Sequence, residues 1–183
     1  MSNVYNLHGL FEFLLEVKSQ GVEYVRLVYC DQHGLTRGKL LPVAQFRDAL
    51  VNGLATTHAL FAMDSANFIY LPVFTDDGGF GNDEMGGAGD MMMVPDPSSF
   101  RVLPWAPDTG WMLCDLYLKS GAPMPFSPRS ILSQQLERLY AAGYELIIGL
   151  EVEFHVFKID MEAFSIFDIS PLNCLCKKSS FLL

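Results

Sequence analysis

The sequence predicts an α+β fold, and three observations predict it. Apolar residues recur at helical spacing over residues 7–20, and the turn-forming Asp31-Gln32-His33-Gly34 separates two extended runs within residues 22–41. Helical spacing then returns at residues 43–51. A chain of 183 residues that is 50% hydrophobic and 18% charged has the apolar content to bury a core.

The first helix places Leu7, Leu10, Phe11, Leu14 and Leu15 on one stripe, with Asn6 as N-cap and Gly21 as the stop. Val, Tyr and Leu at residues 22–30 and an extended pattern at 35–41, closed by Pro42, predict a β-hairpin. The second helix packs Ala44, Phe46 and Leu50 on one side and ends near Gly53. Residues 75–90 hold six glycines and five acidic residues without a base, which predicts a long mobile loop, because backbone entropy and like-charge repulsion both oppose order. Residues 90–94, 101–107 and 111–118 read as further extended segments, with a turn at 95–100. Ser127 before Pro128 is an N-cap and first-turn pair for a helix carrying Ile131, Leu132, Leu136, Leu139 and Tyr140 and ending at Gly143. Over residues 144–157 strict alternation puts Tyr144, Leu146, Ile148, Leu150, Val152, Phe154 and Val156 on one face and predicts a long strand. Residues 158–183 show no sustained period.

Charge and cysteine usage exclude several classes. With 12 basic against 21 acidic residues, a net charge of −9 and no basic stripe, nucleic acid is not an expected partner. The N-terminus lacks a basic region, Glu12 and Glu16 interrupt its apolar stretch, and the longest charge-free run is 15 residues, so neither a signal peptide nor a membrane span is expected. Cys30, Cys114, Cys174 and Cys176 lack the repeated CxxC spacing of a zinc site, and a reducing cytoplasm is the expected location.

Chemistry concentrates on the last alternating segment. A period of two puts Glu151, Glu153 and His155 on one face with successive Cα atoms about 7 Å apart. Two carboxylates so spaced suit two neighbouring hard cations, Mg²⁺ or Mn²⁺, that also take water and phosphate; a solvated polar face is the competing reading. The glycine-rich loop contains no phosphate-loop or calcium-loop register. His8, His33 and His58 have no neighbouring Ser or Cys arranged for nucleophilic catalysis, so no catalytic residue is assigned. Met91, Met92 and Met93 read as core filling, Cys174 and Cys176 as incidental, and Arg37 and Lys39 as a solvated hairpin edge rather than an anion site.

Five ordered landmarks, DQHGLTRGKLLP, GDMMMVPDPSSFRVLPWAP, GWMLCDLY, PFSPRSIL and GLEVEFHVF, together resemble the glutamine synthetase family over residues 31–157. The resemblance implies a β-grasp N-terminal domain at residues 1–120, the first helix and strand of an incomplete catalytic domain at 121–157, and an irregular tail at 158–183 outside the family pattern. It also implies that Glu151 and Glu153 match the two glutamates of the family's E-x-E strand, which bind divalent metals beside ATP and glutamate. His155 matches no family ligand. In the complete enzyme ATP phosphorylates the glutamate γ-carboxylate and an amine displaces phosphate. The family's D-G-S-S loop, which helps form an ammonium pocket across a subunit boundary, has only a loose counterpart in Asp64-Ser65. Ammonia and a larger amine or polyamine therefore both stand as acceptors. The loss of pattern after Lys158 leads us to expect a truncated, inactive fragment. The alternative is a non-catalytic module that joins a homo-oligomer or a full-length relative.

Overall fold

Strand β1, Tyr24–Cys30, is the centre from which the fold is built, because its alternation of buried and exposed residues is satisfied on both edges. It pairs antiparallel with β2, Thr36–Pro42, across the expected hairpin, Tyr24 opposite Pro42 and Cys30 opposite Thr36. On its other edge it runs parallel to β6, Ala106–Tyr117, with Val25 opposite Gly110 and Val28 opposite Leu113. In this computed structural model the described residues are 7–75, 77–81 and 83–155. The readings for Asn6, Val156, Phe157, Cys174, Cys176 and the tail at 158–183 fall outside them.

Strand β6 is long enough to serve two sets of neighbours. Its later residues pair antiparallel with β4, Asp90–Pro95, and its earlier ones with the short β5, Arg101–Leu103, the two joined by a 3₁₀ turn at Pro97–Ser99. Strand β3, Leu54–Thr57, completes the order β2-β1-β6-β4-β3. The sheet curls enough for Lys39 Nζ on β2 to donate to the Ala55 carbonyl on β3 at 2.7 Å.

Helix α1, Leu7–Ser19, and helix α2, Val43–Asn52, supply the layer that closes the core. Among the described side chains of α1, Leu10 and Val17 are buried, whereas Phe11 and Leu15 of the expected stripe are 60% and 51% exposed. Phe13 lies edge-on to Phe46 and Phe100, at 6.2 and 5.5 Å, so the face turned to the core is offset from the predicted one. Helix α2 buries Phe46, Ala49 and Leu50 and leaves Ala44 exposed. It stops where Gly53 takes φ +71°, a left-handed conformation costly for other residues. Met91 and Met93 are buried among this core as expected, with Met112, Leu116 and Met124, while Met92 is half-buried. Cys114 is buried with them, and desolvation pushes its thiol up to about 12.

Two expectations change. The glycine-rich stretch is folded back on itself rather than free: Met85 is wholly buried, the Gly87 N–H donates to the Gly78 carbonyl at 2.8 Å, and Gly79 bridges Gly86. A Cβ on Gly78 would stand 1.6 Å from the Pro72 carbonyl oxygen, so glycine here permits close backbone approach. The second concerns residues 144–157. Helix α3, Pro128–Ala141, forms as expected, with Ser127 accepting from the Ser130 N–H. Residues 144–155, however, form no strand, and their side chains are exposed. Alternation alone does not make a strand; a hydrogen-bonded neighbour must be present, and none pairs with these residues among those described. The chain divides into Met1–Glu145 and Leu146–Leu183.

Candidate functional site

The β1–β2 turn carries the densest polar network. Asp31, fully buried, accepts from the backbone N–H groups of His33 and Leu35 at 2.9 and 3.0 Å through Oδ1. Through Oδ2 it accepts from Arg37 Nε at 2.9 Å. Burial alone would raise this carboxyl's pKa, but the Arg37 hydrogen bond and charge and the two backbone donors hold it below the ordinary value. The DQHGLTRG motif is thus a turn locked by its own first carboxylate. Arg37, expected on a solvated edge, instead ties the turn to Asp31, whereas Lys39 stands exposed on the edge strand β2 as expected and reaches across to an acceptor on β3.

The turn docks on the 3₁₀ segment His58–Ala62 and the hairpin that follows it. Gln32 Nε2 donates to the carbonyls of Phe61 and Met63 at 2.9 and 3.0 Å, which occupies both of its hydrogens. His33 Nε2, 3.0 Å from the Met63 carbonyl, is therefore the protonated ring nitrogen and donates there. Beneath, Tyr29 stacks on Phe61 with ring centroids 6.0 Å apart. Desolvation pushes its phenol up to about 12.

Asp64 organises the hairpin. Its Oδ1 accepts from the Ala66 and Phe68 N–H groups, both at 2.9 Å, Asn67 takes φ +65°, and Met63 bridges Ile69. This is an Asx-type turn, in which a short carboxylate replaces backbone pairing. The turn presents Phe68, Ile69 and Tyr70 to solvent, Phe68 at 72% exposure, while the Tyr70 hydroxyl donates back to the Phe61 carbonyl at 3.2 Å. The resulting surface is an aromatic ridge beside a fixed carboxylate.

Helix α3 is tied to the sheet by Arg129, which donates to Asp115 at 2.8 Å and to Asp96. Against the effect of burial, the Ser98 hydrogen bonds and the Arg129 charge hold the Asp96 carboxyl below its ordinary range. In the sequence Ser127 and Pro128 mark only a helix start, and Arg129 after them carries no assigned role. That a base stood on the first turn of a helix, where cations are disfavoured, was the available sign of an acidic partner.

Glu151, Glu153 and His155 lie in the other unit, exposed and outside any strand. No group of three or more His, Cys, Asp or Glu residues is placed to hold a metal ion among the described residues. His58, read as ordinary, is fully buried at the start of the 3₁₀ segment. Its flanking Thr56, Thr57 and apolar 59–62 gave no period from which that burial could be read. No helix among the described residues is long and apolar enough to cross a membrane.

A mixed sheet clasping a helical layer, with its polar turn docked against a neighbouring loop, defines a β-grasp-type domain. The chain belongs to the glutamine synthetase family: residues 10–124 match the glutamine synthetase N-terminal domain. Over 149 residues it is 44% identical to a gamma-glutamylanilide synthase of Acinetobacter sp, covering 80% of this chain and 30% of that protein. It is 34% identical to the gamma-glutamylethanolamide synthetase GlnA4 of Streptomyces coelicolor, over 82% of this chain and 31% of that one. A glutamine synthetase of Methanosarcina mazei is 31% identical, over 81% and 30%. The solved structure of apo GmaS without ligand matches with a TM-score of 0.52 and 28% identity, covering 70% of this chain and 26% of that one. The chain thus spans about 30% of the length of these curated relatives.

Proposed function

We propose that this chain supplies the N-terminal domain and the opening of the catalytic domain of an ATP-dependent ligase that joins glutamate to an amine larger than ammonia. The observation that carries the reading is the hairpin at residues 63–70. Where the family resemblance would set a small polar D-G-S-S loop, this chain turns on Asp64 with Oδ1 engaged and exposes Phe68, Ile69 and Tyr70. A small cation gains nothing from an aromatic ridge, whereas the apolar body of an amine can bury against it. The 44% identity to a gamma-glutamylanilide synthase, against 31% to a glutamine synthetase, supports the same choice.

Within that enzyme Asp31 and Arg37 hold the turn that positions the ridge. Glu151 and Glu153 fit Mg²⁺ or Mn²⁺ in donor chemistry, being two exposed carboxylates separated by a single residue. Such ions would neutralise charge on ATP phosphates. The apolar side chains left exposed on α3 and at residues 146–154, among them Ile131, Leu132, Ile147 and Leu150, support assembly with a second copy or a full-length relative. The free thiols of Cys30 and Cys114 fit a reducing compartment.

The test is phosphate release by a chimera of this chain with the remaining catalytic segment of a gamma-glutamylanilide synthase, offered ammonia, ethanolamine and aniline. Aniline or ethanolamine should give the highest kcat/KM. Glu151→Gln with Glu153→Gln should cost at least about tenfold in Mn²⁺ affinity. The 183-residue chain alone should release no phosphate. A preference for ammonia would contradict the acceptor reading, and intact Mn²⁺ affinity in the double variant would contradict the metal reading.

A further inference from the structure

His58 is fully buried, yet among the described residues neither Nδ1 nor Nε2 has a hydrogen-bond partner. Such an arrangement is uncommon, because a buried polar group without a partner costs about 1–3 kcal/mol. The ring is covered from the glycine-rich side. Phe80 lies edge-on to it at 6.0 Å, and Gly89 sits so close that an added Cβ would stand 2.8 Å from Nε2. Residues 85–89 are strapped over it by short-range bonds: the His58 N–H donates to the Gly89 carbonyl at 3.0 Å, and Thr57 Oγ1 lies 3.2 and 3.1 Å from the carbonyls of Ala88 and Gly89. Met85 plugs the core below.

We infer that His58 is a pH-sensitive latch, and that a proton taken up at its ring releases the strap of residues 85–89 from the end of the sheet. A neutral imidazole tolerates this apolar seat, whereas an imidazolium carries two donors that find no acceptor until the strap lifts and water enters. Among the described residues, two charges act on the ring. Asp90, at the start of β4, favours the proton, and Lys119, after β6, opposes it. Of the described residues on the strap side, Phe80 and Gly89 lie against the ring and carry no charge. Burial, the largest influence, holds the His58 pKa below its ordinary value of 6.5. The sign follows: the opened state binds the proton more readily, so closure is complete above the ordinary value and weakens as pH falls below it.

The experiment is amide exchange of Met85, Gly86, Gly87 and Gly89 in the whole chain at about pH 7.5 and about pH 5.5, corrected for intrinsic exchange, beside the ¹⁵N titration of the His58 ring. Protection should fall on acidification by up to about tenfold per pH unit, and in step with the ring's titration. In His58→Leu protection should be the same at both pH values. Equal protection of the wild type at both values would overturn the latch, as would a fall that persists in His58→Leu. A ring that titrates while the strap stays protected would overturn it even if the leucine variant fails to fold.

Discussion

Strand β1 and residues 144–155 have similar alternating patterns and opposite fates. In β1, Val25 and Leu27 are completely buried, because β2 and β6 pair on its two edges and α1 and α2 cover one face. In the later segment Ile147, Leu150 and Phe154 are 94%, 87% and 76% exposed, and no strand among the described residues pairs with it. The difference teaches that period two states only which side chains would share a face. Whether the face exists depends on backbone donors and acceptors supplied from elsewhere.

The largest effect that would sharpen this contrast lies at Asp31, whose carboxylate closes the turn between two paired strands. Asp31→Ala would leave Arg37 half-buried without its partner and should cost about 3–5 kcal/mol in denaturant unfolding. Because the folded pKa of Asp31 is depressed, its contribution is present above the ordinary carboxylate value of 3.8 and is lost as pH falls through the folded value. The wild-type stability advantage over the variant should shrink in that acid window, as urea midpoints would record. A smaller effect separates the two segments directly. Leu27→Ala in β1 should cost about 2–5 kcal/mol, whereas Leu150→Ala should change stability by less than about 0.5 kcal/mol.

Much of the fold was legible because its signals are local. The Asp31-Gln32-His33-Gly34 turn, Pro42 at the hairpin's end and the Ser127-Pro128 cap each act over a few residues, and each element appears where those residues place it. The order β2-β1-β6-β4-β3 was not legible, since the parallel pairing of β1 with β6 joins residues some eighty positions apart. Strand β3 and the 3₁₀ turn after it were missed because Thr56, Thr57 and His58 look polar, although His58 lies wholly inside. The abundance of glycine at residues 78–89 also hid a packing role, since Gly78 and Gly89 allow close approach to Pro72 and His58. Of the candidate site, Asp64 entered only through the family resemblance, as a loose counterpart of its D-G-S-S loop, and the network from Asp31 through Gln32 to Met63 is a tertiary contact that no spacing discloses.

The account rests on pairing rather than pattern, and amide exchange read residue by residue on a dilute, monomeric preparation of the whole chain tests it most directly. The amides of Val25, Leu27 and Val28 in β1 should exchange only through large-scale unfolding, whereas those of residues 146–155 should exchange at close to intrinsic rates. Protection of residues 146–155 equal to that of β1 would contradict the account, because it would show that alternation had organised a strand without a neighbour from another chain.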